Sequence, residues 1–166
     1  MATNSRGSDW RKWDLHVHTK YTNKNDQFIS IDFKAFCETL FKKAIEKNIE
    51  VIGITDYFCI ENFKKVIEYQ QNIQSNTSFS DDEKEKIKNI FILPNIELRM
   101  LPVTDSGRLI NIHCIFNPDY ISNIDNDFFN SLKHISHSQD FLMNYQGLVK
   151  LGKQVDNTVT NDKLFS

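Results

Sequence analysis

Two histidines one residue apart, in "WDLHVHT" (Trp13 to Thr19), are the first residues in this chain whose type and spacing suit chemistry. The segment otherwise reads as a β-strand over 13–18. Successive strand side chains point to opposite faces, so Asp14, His16 and His18 are expected on one face and Trp13, Leu15 and Val17 on the other. Three further ligand-type residues stand in or at the end of apolar runs: Asp56 after "VIGIT", Glu97 after "ILPNI", and His113 inside "INIHCIF". A buried ionised carboxylate is costly unless paired or metal-bound. Three histidines and two carboxylates brought together would hold one or two ions of Zn²⁺, Mn²⁺ or Fe²⁺.

Each residue also has a plainer reading. Asp56 can cap the helix that follows it, Glu97 can be an exposed strand end, and His113 a hydrogen-bonded core histidine. With five histidines in the chain, an H-x-H pair can arise by chance. Order strengthens the set, because the four places fall on four separate expected strands of one sheet. His134 and His137, in "KHISH", are three apart on a possible helix and have metal-binding spacing, but lack a partner carboxylate.

The elements that must position these groups follow from periodicity. A polar loop over 20–27 leads to a helix over 30–47, with Phe33, Phe36, Leu40, Ala44 and Ile45 at helical spacing and Asn48 as its stop. "EVIGITD" is a β-branched run suited to a strand buried on both faces. Strand, helix and strand make a βαβ unit. A second helix is expected over 61–74, facing inward through Phe63, Val66 and Ile67. "SDDE" is a capping-box pattern opening a short helix through Lys88. A third strand over 90–98 is expected to be interrupted by Pro94. A short strand over 99–103 and an Asp105-Ser106-Gly107 turn then lead to a fourth strand over 108–116. Beyond it, 117–127 reads as loop, 128–137 as possible helix, and the Asn- and Thr-rich tail as loop.

At 166 residues the chain is long enough for one domain with a sizeable core. Its formal net charge of −2 shows no strongly basic surface, which leaves a local basic groove open. Three cysteines without CxxC spacing, Cys37, Cys59 and Cys114, read as reduced, buried thiols of a cytoplasmic protein. The polar start of the chain, Met1 to Ser8, lacks the apolar core of a signal peptide, and no run approaches transmembrane length. There is no P-loop, G-x-G-x-x-G or G-x-S-x-G, so nucleotide-fold and serine-nucleophile readings lack support.

Taken in order, "DLHVHT", "GITDY", "NIEL" and "IHCIFNP" resemble successive motifs of the PHP (polymerase and histidinol phosphatase) domain. The lead-in "GSDWRKWDLHVHT" and the variant "ITDYF" look closest to the TrlF-like branch, in which an N-terminal PHP domain is fused to an SMC- or AAA-like ATPase associated with DNA repair and anti-phage defence. The resemblance spans about Gly7 to Pro118, and it treats residues 1–166 as one PHP-like domain. It implies an α/β fold, the N-terminal part of a distorted (β/α)7 barrel, whose later strands and motifs are expected beyond Ser166. It further implies metal-dependent phosphoesterase or nuclease chemistry, with a nucleic acid substrate and an ATPase domain or subunit as partners. Oligomers are compatible with it, and no membrane is involved.

In that scheme His16 and His18 hold one metal, Glu97 bridges, His113 completes a neighbouring site, and Asp56 is a ligand or orients the attacking water. Catalysis would fall to Asp56, His16 and His18. The family's Thr-Asp-His is here Thr55-Asp56-Tyr57, and residues 20–25 contain no histidine, so one or two ions are expected rather than three. A catalytically degenerate module that binds nucleic acid or protein, and a small-molecule phosphatase, are the alternative functions.

Overall fold

The computed structural model of the chain describes residues 10–22, 26–28, 30–100, 104–136 and 138–158. Strand β1 (Lys12–His18) leads into helix α1 (Phe33–Lys47), and β2 (Ile49–Tyr57) returns parallel to β1, completing the expected βαβ unit. The helix begins three residues after Ser30, because the Asp32 carboxylate accepts a hydrogen bond from Ala35 N at 2.7 Å and caps its first turn. It ends at Asn48, which sits in the left-handed region (φ 53°) with its N–H directed at the Ala44 and Ile45 carbonyls.

Helix α2 (Glu61–Gln71) stops short of residue 74 and continues as a 3-10 turn over Ile73–Ser75. Helix α3 (Asp81–Lys88) opens with the capping box read from the sequence. Ser80 accepts from Glu83 N, and the Glu83 carboxylate accepts in turn from Ser80 N at 2.8 Å.

Strand β3 (Phe91–Met100) then pairs parallel to β2. Pro94 does not interrupt it. The N–H and C=O of one strand residue point to the same side, and the Pro94 carbonyl accepts from Phe116 N on the β4 side. The missing N–H therefore faces the place where that ladder ends, and no interior bond is lost. The separate short strand expected over 99–103 is also corrected: Arg99 and Met100 are the end of β3, and 101–103 lie outside the described residues. A turn at Thr104–Gly107, with Gly107 at φ 76°, reverses the chain into β4 (Ile110–Ile115), antiparallel to β3.

The result is a mixed α/β structure around a curled four-stranded sheet in the order β1-β2-β3-β4. Ile52, Ile54 and Ile92 point from the sheet into a cluster with Phe36, Phe41, Phe63, Val66 and Ile87 of the three helices. Full burial of each large apolar side chain contributes about 1.5–3 kcal/mol. This face carries the stability and leaves the other face free to be polar.

After β4 the sequence reading fails. The loop expected over 117–127 is helical from Pro118 on, as a 3-10 turn (Pro118–Tyr120), a short α4 (Ile121–Asn123) and a π-type turn (Ile124–Phe129). The helix expected over 128–137 is instead the end of that turn and a strand, β5 (Lys133–Ser136), paired with β6 (Gln139–Leu142). Helix α5 (Tyr145–Val155) occupies part of the expected loop tail, capped by Asn144. His134 therefore lies on a strand, and His137 lies outside the described residues. Cys37 is buried, Cys59 and Cys114 half-buried, and all three thiols are free. No helix among the described residues is long and apolar enough to cross a membrane.

Candidate metal centre

The pairing of β1 with β2 is irregular where the histidines stand. Asp14 pairs with Ile52 and Val17 with Ile54, so β1 advances three residues while β2 advances two. This is a β-bulge at Leu15–His16. It overturns the expected alternation: Asp14 shares the register of Ile52 on the helix-covered face, whereas His18 pairs with Thr55 on the opposite face. Trp13 is 58% exposed, so β1 has no continuous apolar side.

The bulge is held from beneath. The Leu15 carbonyl accepts from Asn95 Nδ2 at 2.7 Å and from Thr55 Oγ1 at 3.3 Å, and His16 N donates to Asp14 Oδ1 at 3.4 Å. Gly53 makes room for it, since a Cβ there would stand 2.4 Å from the Leu15 oxygen.

Three ligand atoms converge above this platform. His16 Nε2 lies 3.1 Å from His18 Nε2, and the two nitrogens lie 3.5 and 3.3 Å from Glu97 Oε2. Glu97 is 1% exposed, yet neither carboxylate oxygen has a hydrogen-bond partner. His18 Nδ1 lies 3.1 Å from the Thr55 carbonyl, which can only accept. Nδ1 therefore carries the proton, and the neutral ring turns its Nε2 lone pair toward Glu97. Burial lowers the His18 pKa, outweighing the opposing pull of Glu97. The His–Glu contacts have salt-bridge distances, but a neutral His18 makes its contact a meeting of two acceptors. A buried carboxylate without a donor, facing an imidazole lone pair, is stabilised by a cation among them. The N, N, O set of His16, His18 and Glu97 suits Zn²⁺, Mn²⁺ or Fe²⁺.

His113 pairs with Glu97 in register, and its ring centroid is 4.4 Å from that of His16, but the residue is exposed and outside the three-ligand group. Asn95 faces His113 with its whole amide: Nδ2, which donates to the Leu15 carbonyl and to Thr55 Oγ1, lies 3.0 Å from His113 Nδ1, and Oδ1 lies 3.3 Å from it. The Asn95 amide therefore orients the His113 ring through Nδ1.

Asp56 is not brought to this group. It pairs with Ile96, one residue out of phase with Glu97, and points to the opposite face. There Oδ1 accepts from Thr19 Oγ1 at 2.8 Å and Asn62 Nδ2 at 3.4 Å, Oδ2 has no partner, and burial raises the carboxyl pKa to about 6. Nor does Asp56 cap α2, whose N-cap is Ile60. It ties down Thr19, the first residue after β1.

Tyr57 stacks on His18 with centroids 5.2 Å apart. Its hydroxyl accepts from Arg99 Nη2 at 3.1 Å. Sequence reasoning missed Asn95 and Arg99, although both lie two residues from Glu97 in a strand. The period-2 rule that grouped the histidines also places Asn95, Glu97 and Arg99 on one face. Comparisons with protein-family models, with curated proteins and with solved structures found no match to this chain.

Proposed function

We propose that this chain is a metal-dependent phosphoesterase domain of the PHP type, acting as a nuclease on phosphodiesters. One observation carries the reading: a fully buried Glu97 carboxylate with no hydrogen-bond donor meets the Nε2 atoms of His16 and His18. The ordered motif resemblance supplies the chemistry. His16, His18 and Glu97 would hold the ion. A divalent cation there supplies a hydrolytic water of lowered pKa and offsets charge on the phosphate oxygens. Thr55 orients His18 through its carbonyl, and the Asn95 amide orients the His113 ring beside the three ligands. Asp56 holds the residue that follows β1 in place. A barrel completed by further strands, and an ATPase partner in repair or anti-phage defence, belong to the same proposal.

The test is hydrolysis of single-stranded DNA, RNA and a chromogenic phosphodiester by the full chain, with and without Mn²⁺. Metal-dependent cleavage is expected, and it should disappear in the His16→Ala/His18→Ala variant while the far-UV circular dichroism spectrum is unchanged. Absence of both metal binding and cleavage would overturn the proposal. Nucleic acid binding by the wild type in Mn²⁺ with no cleavage would show a degenerate binding module instead.

A further inference from the structure

Next to the three-ligand group the same sheet face carries uncompensated positive charge. Arg99 stands two residues beyond Glu97 on β3 and therefore on its face, and Asn111 pairs with it on β4. Arg99, Asn111, Leu109 and Arg108 line a groove of about 390 Å³ that includes no carboxylate. The chain has four arginines, and two of them line this groove. Among the described residues neither makes an ion pair, whereas Arg11 pairs with Glu50 at 2.7 Å. Arg99 is oriented by Tyr57: its guanidinium carbon lies 5.1 Å from the ring centroid and Nη2 donates to the hydroxyl, while Nε is buried without a hydrogen-bond partner. The same tyrosine ring stacks on His18, so one residue couples the arginine to the candidate metal centre.

We infer that Arg99 and Arg108 bind the phosphate adjacent to the scissile one, and that the substrate is a single strand of nucleic acid rather than a small phosphomonoester. This rests on the phosphoesterase reading of the His16, His18 and Glu97 centre. Guanidinium presents a planar fork of donors matched to phosphate oxygens, which a solitary stacking role for Arg99 would not need at Arg108. Same-face neighbours on a strand are about 7 Å apart. Successive phosphates of an extended nucleic acid strand have a spacing of the same order, so one phosphate at Glu97 puts the next near Arg99. A monoester has no second phosphate to place there. On a chain of formal net charge −2, the attraction comes from a local groove rather than overall basicity.

The experiment is fluorescence anisotropy of a short labelled oligothymidylate with the full chain in chelator, beside a Co²⁺ absorption titration of the same proteins. The wild type should bind the strand, and Arg108→Gln should weaken it roughly ten-fold. Adding Arg99→Gln should lower the slope of log K against log salt by about 0.7, the loss of one neutralised single-strand phosphate. All these variants should still bind Co²⁺, and His16→Ala/His18→Ala should lose Co²⁺ but keep the strand. Should Arg99→Gln fail to fold, the exposed Arg108→Gln decides the matter alone, with Arg99→Lys separating fork from charge. Unchanged affinity in Arg108→Gln, no strand binding by the wild type, or inorganic phosphate competing as well as the strand at equal phosphate concentration would each overturn the inference. Failure of Co²⁺ binding alone would overturn the metal centre and leave this groove standing.

Discussion

Glu97 is a buried acid whose surroundings suit a cation and little else. Without one, the carboxylate is desolvated and meets acceptor nitrogen rather than a donor, a cost of about 1–3 kcal/mol or more for a charged group. Glu97→Gln keeps the shape and supplies an amide donor to His18 Nε2. In chelator the variant should therefore be more stable than wild type by about 1–3 kcal/mol in urea denaturation. With Mn²⁺ at a hundred times its dissociation constant the wild type should gain about 2.7 kcal/mol, and the variant should not. A variant less stable than wild type in chelator would show that Glu97 has another partner. The identity of this acid was legible in "ILPNIEL", because an acidic residue at the end of an apolar strand demands compensation. Asp56 carried the same signature in "GITDY", yet it faces the other side and satisfies one oxygen with Thr19 and Asn62. Residue type nominated both acids, and register separated them.

At the scale of elements, the β1 bulge decides where the imidazoles point. Nothing in "KWDLHVH" marks it, since the glycine that makes it possible lies on the neighbouring strand, at Gly53. Unbroken alternation would have left Asp14 beside His18, whereas the extra residue moves Asp14 to the helix-covered register. Gly53→Ala should force the Leu15 carbonyl away, because its Cβ would lie within 2.4 Å of that oxygen. The expected cost is about 1–3 kcal/mol, as for overpacking elsewhere. Metal affinity should fall along with stability, since Asn95 and Thr55 would lose the Leu15 acceptor that fixes the bulge. Urea denaturation and a Co²⁺ titration measure the two effects, and a variant with wild-type metal affinity would show that the bulge does not position the histidines. Other elements were read correctly for local reasons. The Ser80–Glu83 capping box and the Asn48 stop depend on residues within one turn of the boundary. Pro94 misled because the cost of a missing N–H depends on which side of the strand it faces.

For the molecule as a whole, stability should carry a pH signature from Asp56. Its carboxyl pKa rises to about 6 in the folded state, mainly through burial. The folded form then holds a proton that the unfolded form has released, so stability falls as pH rises from about 4 through about 6 and the loss is complete above that. A shift of about two units corresponds to about 3 kcal/mol. Asp56→Asn removes the titration, so its stability relative to wild type should improve by about that amount between pH 4 and 7. Urea denaturation across that range measures it, and a constant difference would place the origin elsewhere. The C-terminal third escaped the sequence reading because its strands β5 and β6 are four residues each and its helical turns are short. Segments of that length carry too few periods to show which face is apolar. By itself the amino-acid order determined the βαβ start, the parallel core strands and the candidates for metal chemistry, because apolar periodicity and capping act between near neighbours. Only the tertiary structure decided that His16, His18 and Glu97 meet while Asp56 does not, and that Arg99 stands beside them. Those outcomes hang on a bulge and a strand register set by Leu15, Gly53 and Asn95, residues up to 80 positions apart that come together only in the folded sheet.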